Sequence, residues 1–176
     1  MPFAVVLDLD ADTEGRLRHL AGRLNTTSDF ETPPQPDDAH HHISLGVYDD
    51  LALDRFMPML AKYADASKPL AVRLANIGIF PSAQSVLYLA PVVTNELLAL
   101  HDDFHAAFAA FAGSCWAHYL PGAWVPHVTL AMGVATGALG EAVSAVAARW
   151  TPATARLDAL RLIQFPPISI LYRHSL

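Results

Sequence analysis

The sequence predicts an α+β fold of two lobes related by a pseudo-two-fold axis, each an antiparallel-rich sheet covered by helices, with a central cleft. The first observation is the element order, because apolar β-branched runs alternate with segments of helical periodicity as β-α-β-α-β and then β-α-β-α-β-β. The second is an internal match at an offset of 85 residues, which aligns His42–Leu45 with His127–Leu130 and Phe80–Pro81 with Phe165–Pro166.

The composition fits a single bilobal domain over residues 1–176 that arose by an old duplication, with halves at roughly 1–81 and 84–176. Hydrophobic residues make up 53% of the chain and charged residues only 16%, so a sizeable core can form and wholesale disorder is excluded. No apolar run reaches the ~18 residues that a membrane span needs. The net charge of -6 argues against a large basic groove for duplex DNA.

The cysteine content and the N-terminal sequence bear on location. Cys115 is the single cysteine, so it cannot form an internal disulfide or build a cysteine metal site alone. The N-terminus has no basic start, and its apolar stretch is too short for a signal peptide. We expect a cytoplasmic monomer that contacts no membrane.

The first half is predicted to contain five elements, in order a strand at Phe3–Leu9, a helix from about Asp12, a strand at His42–Tyr48, a helix from about Asp54 and a strand at Leu70–Phe80. The strands are apolar and β-branched, and the first helix places Leu17, Leu20 and Leu24 on one face. The segment between the first helix and the second strand, 25–38, is rich in proline, hydroxyl and acidic residues. This composition predicts a surface loop.

The second half repeats this order and adds a strand. Its predicted elements are a strand at Val86–Ala90, a helix from about Thr94 to Ala112, a strand at His127–Val134, a helix from about Gly137 to Trp150, a strand at Thr154–Phe165 and a strand at Ile168–Arg173. The long helix is favoured by an apolar stripe of Leu97, Leu100, Phe104, Phe108 and Phe111. A loop rich in Trp, Tyr, Pro and Gly spans 113–126.

The matched strands carry a His-x-hydroxyl-Leu motif in both halves. About one His-x-Ser/Thr is expected by chance from the 9 histidines, but two copies, each followed by Leu and in register with Phe-Pro, are a stronger signal. Side chains alternate along a strand, so His42 and Ser44 share one face and His127 and Thr129 share another. The apolar residues between them should face the core, which leaves two imidazoles and two hydroxyls to line one cleft.

This set suits metal-free chemistry on a phosphodiester. A neutral histidine takes a proton from water or a sugar hydroxyl, and a protonated one gives a proton to a leaving oxygen. Hydroxyl groups donate hydrogen bonds to the non-bridging phosphate oxygens. We therefore predict His42 and His127 as catalytic residues and Ser44 and Thr129 as phosphate ligands.

At these motifs the chain resembles the 2H phosphoesterase superfamily, which includes bacterial 2'-5' RNA ligase-like proteins and RNA cyclic phosphodiesterases. The second copy, Trp124–Leu130, is the closer match because Pro126 precedes its histidine, whereas His41 stands at that place in the first copy. The resemblance implies that water attacks a 2',3'-cyclic phosphate and usually leaves a 2'-phosphate. It also implies joining of such an end to a 5'-hydroxyl end, without a metal or nucleotide cofactor.

Aromatic residues near the motifs are candidates for substrate binding. Tyr119 and Trp124, with Trp116, precede the second motif and can either stack on a base or form a packing cluster. Phe80 stands at the same relative place as Phe165 and is expected to border the cleft. Three strand arginines, Arg73, Arg161 and Arg173, are equal candidates for contact with phosphate.

Two histidine clusters raise the alternative of a metal site. The run 40–42 lies beside two aspartates, but adjacent residues of an extended chain point in opposite directions. His101 and His105 have the i, i+4 spacing of some zinc sites, without an obvious third ligand. We therefore predict no metal site.

Three functions remain open at the level of sequence. The favoured one is a phosphodiesterase whose partner is a nucleotide or RNA end bearing a cyclic phosphate. The acidic composition keeps a small non-RNA cyclic phosphate as the alternative substrate. The third is a catalytically silent nucleotide- or RNA-binding module, against which the intact histidines and hydroxyls in both copies weigh.

Overall fold

The computed structural model describes residues 1–25 and 40–176, so the predicted loop at 25–38 lies outside the described residues apart from Asn25. Seven strands are described, namely β1 Phe3–Leu9, β2 His42–Tyr48, β3 Leu70–Phe80, β4 Gln84–Pro91, β5 Val128–Ala135, β6 Ala153–Gln164 and β7 Ser169–Ser175. Four α-helices are described, namely α1 Ala11–Asn25, α2 Leu53–Ala66, α3 Asn95–Ala107 and α4 Leu139–Ala147. Short 3₁₀ helices cover Ala109–Ser114, Ala117–Tyr119 and Thr136–Ala138.

All strand pairs are antiparallel, and the predicted α+β fold is confirmed. The strand order is β2-β1-β6-β3-β4-β5, with β7 paired to β6. The order is symmetric: if β1 is exchanged with β4, β2 with β5 and β3 with β6, the same order is obtained in reverse. The duplication itself stays a prediction, but the palindromic order is what a duplicated β-α-β-α-β unit with exchanged third strands produces.

Helices cover one face of the sheet, and the other face is largely open. On β1, Val5 and Leu7 belong to the main core, together with residues of all four helices. Ala4 and Val6 alternate with them and join a small second cluster with Val47 and Ile163 on the opposite face. The polar residues of the motifs lie on this second face.

The two ends of the sheet approach each other although they are five strands apart in the order. β2 and β5 are in contact. The indole Nε1 of Trp124, just before β5, donates to the Ser44 carbonyl of β2 at 2.9 Å. The main-chain amide of Trp116 likewise donates to the Val47 carbonyl at 2.7 Å. The sheet is therefore curved, and its helix-free face forms a cleft.

Three predicted helices have wrong boundaries. The helix expected at 137–150 spans only Leu139–Ala147 and follows the 3₁₀ turn Thr136–Ala138. The helix expected at 94–112 ends at Ala107 and continues as the 3₁₀ turn Ala109–Ser114. This turn keeps Phe108 and Phe111 on the core side, because residues three apart share a face in a 3₁₀ helix. The second helix has Ala52 at its N-cap, so Asp54 lies in its first turn instead of capping it. No helix of the described residues is long and apolar enough to cross a membrane.

Candidate active site

Each motif histidine is bonded to the main-chain carbonyl of the residue two positions before it. His42 is the first residue of β2, and its Nδ1 lies 2.7 Å from the His40 carbonyl oxygen. His127 precedes β5, and its Nδ1 lies 2.7 Å from the Val125 carbonyl oxygen. A carbonyl only accepts, so both Nδ1 atoms carry hydrogen and donate. Each imidazole is thereby left with Nε2 for chemistry.

The predicted alternation along both strands is confirmed. Ile43, Leu45 and Val128 are fully buried, and Leu130 is 1% exposed. The polar residues that alternate with them are half-buried, namely His42, Ser44, His127 and Thr129. The apolar residues thus anchor each strand in the core while the polar residues face the cleft.

Tyr119 and Trp124 bring the two motifs together. Burial raises the pKa of Tyr119, and the nearby Ser44 hydroxyl opposes this shift, while Trp124 bonds the Ser44 main chain. Tyr119 also lines a pocket of about 450 Å³ with His127 and Thr129 of the second motif. The pocket is lined by Phe80, Val86, His118, Tyr119, Ala123, Val125, His127, Thr129 and Met132. Tyr119 is therefore close to both motifs, whereas His42 and Ser44 of the first motif are not among the residues that line this pocket.

The electrostatics favour neutral imidazoles in the unliganded protein. Burial, together with the charges of Arg161, His41 and His127, lowers the pKa of His42 to about 4. The bond to the His40 carbonyl opposes this shift. Burial also lowers the pKa of His127, against the bond to the Val125 carbonyl. Because the charge of His127 acts on His42, the two rings share one electrostatic environment.

An aromatic cluster supports the second histidine. The Phe80 ring meets that of His127 edge-on at 4.8 Å between centroids, and the Tyr88 ring lies 5.3 Å from it. Phe80 therefore stands beside the motif, where the sequence placed it. Tyr88 was missed, although it faces Thr129 across β4 and β5. Gly78 accommodates Tyr88, since a Cβ there would lie 2.3 Å from its ring.

Trp124 packs against His101 of α3. Neither Trp124 nor the two α3 histidines are among the residues that line the pocket. The rings of His101 and Trp124 stack at 3.9 Å with an interplanar angle of 7°. The Nε2 atom of His101 donates to the Tyr119 carbonyl at 2.9 Å, and that of His105 to the Leu45 carbonyl at 3.0 Å. These bonds tie the loop before β5 to β2 through α3.

The described part of the chain contains no group of three or more His, Cys, Asp or Glu residues arranged for a metal. His41 does not converge with His42, because its Nδ1 lies 3.1 Å from a carboxylate oxygen of Glu14. His101 and His105 use their Nε2 atoms on main-chain carbonyls. The two aspartates before the histidine run lie outside the described residues.

A buried ion pair lies beside the first motif, and the sequence did not reveal it. Asp8 is directly opposite His42 in the pairing of β1 with β2. Its Oδ1 accepts from Arg161 Nε at 2.8 Å and Nη2 at 2.6 Å. Of the three strand arginines, Arg161 is the one whose charge lowers the His42 pKa. With only 1% of its surface exposed, it acts on His42 through its electric field.

Comparison with known proteins now identifies the family. The sequence model of the 2'-5' RNA ligase superfamily matches residues 46–166. The chain belongs to the 2'-5' RNA ligase superfamily. The matched segment contains the second motif of this superfamily member and begins directly after the first. No curated protein matches the chain significantly.

Solved structures share the fold of this superfamily member over its whole length. TT0787 of Thermus thermophilus has a TM-score of 0.68 at 18% identity, covering 100% of this chain and 98% of its own. LigT of E. coli, complexed with 3'-AMP, has a TM-score of 0.67 at 16% identity, covering 100% and 99%. A protein described as a phosphoesterase has a TM-score of 0.61 at 16% identity, covering 99% and 97%. At these identities the likeness establishes the fold.

Proposed function

We propose that this chain is a metal-independent phosphodiesterase that opens a 2',3'-cyclic phosphate, or joins or cleaves 2'-5' RNA linkages, with two histidines as acid and base. The observation that carries the proposal is the matched geometry of the histidines. Both place Nδ1 on the carbonyl two residues earlier and keep Nε2 for the cleft. Family membership supports the same reaction class.

In this mechanism one Nε2 removes a proton from water while the water oxygen forms a bond to phosphorus. The bond from phosphorus to the ribose 3' oxygen breaks, and the other histidine gives that oxygen a proton, which leaves a 2'-phosphate. The pKa of His42, lowered to about 4, fits a base that is neutral near pH 7, and we assign the acid role to His127. The Ser44 and Thr129 hydroxyls donate to the non-bridging oxygens, where negative charge builds up.

The pocket beside His127 suits a nucleoside. Its described lining has no lysine or arginine, and Phe80 and Tyr119 offer aromatic surface for a base. LigT has been crystallised with 3'-AMP, ATP and NADP+, which shows that a protein of this fold accommodates nucleotides. We propose that this chain likewise binds a nucleotide or an RNA end that bears a cyclic phosphate. We also propose that it acts as a monomer in the cytoplasm.

The test is turnover of three substrates by the wild type, His42→Ala and His127→Ala. The substrates are a 2',3'-cyclic mononucleotide, an RNA with a 2',3'-cyclic phosphate end and a small non-RNA cyclic phosphate. Each variant should keep its circular dichroism spectrum and lose at least about 10²-fold in kcat. His174→Ala, on β7, is the matched control and should keep full activity.

The substrate profile decides between this proposal and its alternatives. Turnover of only the non-RNA compound would move the function to a small cyclic phosphate, which the lack of cationic lining also allows. Binding of nucleotides without turnover would indicate a silent binding module. Complete loss of activity in a chelator, restored by zinc or magnesium, would contradict the metal-free mechanism.

A further inference from the structure

A second pocket of about 860 Å³ lies between α1 and the end of α4. It is lined by Ala11, Asp12, Gly15, Arg16, His19, Leu20, Arg23, Arg149 and Trp150. Three of the chain's 11 lysines and arginines therefore line one concavity of a protein whose net charge is -6. Among the described lining residues Asp12 is the one carboxylate. Arg16 and Arg149 thus place positive charge around this concavity, which we call the arginine pocket.

The described contacts of two of these arginines do not neutralise them. The Arg16 guanidinium lies 4.7 Å from the centroid of the Trp150 ring, and its Nη2 donates to the Thr151 carbonyl at 3.3 Å. Arg149 Nη1 donates to the Ala145 carbonyl at 3.0 Å. A ring and two neutral carbonyls hold the guanidinium groups in place while the full charge remains. Such fixed groups suit phosphate oxygens, which accept paired N–H donors.

The arginine pocket begins close to the first catalytic motif. Its rim residue Ala11 follows Asp8 by three positions, which limits their Cα separation to about 11 Å. Asp8 is the cross-strand partner of His42, at about 5 Å between Cα atoms. Ala11 thus lies within about 16 Å of His42, the length of roughly five nucleotides of one strand. Because the helices and the motifs lie on opposite faces of the sheet, an RNA bound at both places would pass the edge of the sheet.

We infer that the arginine pocket is a second anion site, which binds phosphodiester groups of an oligoribonucleotide whose 3' end occupies the cleft. The inference rests on the proposed function for the identity of that end. It accounts for how RNA could be held by a protein whose cleft pocket has no lysine or arginine among its described lining residues. The phosphates upstream of the cyclic end would be neutralised outside the cleft.

The first experiment compares a 2',3'-cyclic mononucleotide with a ten-nucleotide RNA that ends in the same cyclic phosphate. In R16Q/R149Q, KM for the RNA should rise about tenfold while both constants for the mononucleotide stay unchanged. The salt dependence of log kcat/KM for the RNA should become shallower by about 1.4, or about 0.7 for each lost contact to a single strand. R149Q, which removes no ring contact, should give half of this change if the double variant does not fold.

R55Q is the matched control, because Arg55 also lies over an aromatic ring, Phe111, at 5.8 Å and is exposed outside the pocket. Equal behaviour of R55Q and R16Q/R149Q on the RNA would overturn the inference.

Direct binding separates this inference from the proposed function. Fluorescence anisotropy of a labelled ten-nucleotide RNA with a 3'-hydroxyl end needs no turnover. Weaker binding by R16Q/R149Q supports the pocket even if none of the substrates is hydrolysed, an outcome that would defeat the proposed function alone. Arginine-dependent binding of labelled ATP without binding of the RNA would make this a free-nucleotide site and overturn the assignment to RNA.

Discussion

At the scale of single residues, the main finding is that two histidines 85 positions apart have the same local geometry. Each ring is oriented by a carbonyl of its own chain segment, so the tautomer does not depend on distant parts of the protein. What differs between them is the electrostatic setting. The buried pair of Asp8 and Arg161 lies beside His42, whereas Phe80 and Tyr88 surround His127.

The lowered pKa values predict an acid-shifted pH profile. The kcat/KM profile reports the free enzyme, in which burial lowers the pKa of His42 to about 4 and that of His127 below its usual value. Both limbs of the bell should therefore lie below pH 6.5. Bound phosphate raises both pKa values by its negative charge, so the kcat profile should centre at higher pH. Rates measured on a cyclic mononucleotide test this, and a flat kcat/KM profile would contradict the paired-histidine mechanism.

Thr129→Val should separate phosphate stabilisation from packing. Valine keeps the shape and strand preference of threonine but removes the hydroxyl that we assign to the phosphate. We expect kcat to fall by about 10²-fold, as for loss of one donor to a developing negative charge, with little change in KM. Thr154→Val, at an exposed position on β6, is the control. Unchanged kcat in Thr129→Val would remove the hydroxyl from the mechanism.

At the scale of elements, α3 holds the two segments that carry the motifs, β2 and the loop before β5, in position. His101 holds the Tyr119 carbonyl and stacks on Trp124, while His105 holds the Leu45 carbonyl. The Nε2 atoms of both histidines are thereby used in hydrogen bonds to main-chain carbonyls, one in the loop before β5 and one in β2. The i, i+4 spacing that resembles a zinc site thus serves to join the loop before β5 to β2.

His101→Phe tests this positioning role. Phenylalanine can still stack on Trp124 but leaves the Tyr119 carbonyl without its donor, at a cost of about 1–3 kcal/mol. We expect kcat/KM to fall about tenfold with no shift in either limb of the pH profile, because His101 transfers no proton. His174→Phe is the control, and a shifted limb would instead place His101 among the proton-transfer groups.

The stability of the same variant should depend less on pH. Burial lowers the pKa of His101 to about 4, below the 6.5 of an unfolded histidine. The wild type therefore loses stability as the pH falls from 6.5 towards 4, since the unfolded chain binds the proton first. Denaturant titrations should show a shallower loss in His101→Phe, and an identical loss would contradict the shift.

At the scale of the whole molecule, β6 joins the two sides of the single seven-stranded sheet. It pairs with β1 along one edge and with β3 and then β7 along the other. Leu157 is the cross-strand partner of both Leu9 and Leu70 and is fully buried. This strand connects β2 and β1 with β3, β4 and β5, so we expect the two sides of the sheet to unfold together.

Leu157→Ala tests the cooperativity of the fold. The change leaves a cavity at the junction and should lower the free energy of unfolding by about 2–5 kcal/mol. Circular dichroism and tryptophan fluorescence should still give one coincident transition. Two separate transitions would mean that the two sides of the sheet fold independently. Leu98→Ala, at an exposed position, should change stability little.

Much of the site follows from local chemistry that can be read along the chain. Strand alternation placed Ser44 with His42 and Thr129 with His127, because the two-residue period is a property of any extended segment. The same argument placed the apolar neighbours in the core, where they lie. The α+β class followed from periodicity in the same way. The predicted catalytic and binding roles of these residues await the experiments above.

Other features depend on which distant segments meet, and periodicity carries no information about that. The pairing of Asp8 with Arg161, 153 positions away, requires β1 and β6 to be neighbours in one register. The contact of Trp124 with Ser44 requires the sheet to curve until its ends touch. Register and curvature arise from packing over the whole core, where each pairing competes with all others. For this reason the chain shows which residues face the cleft, whereas the folded sheet determines what stands beside them.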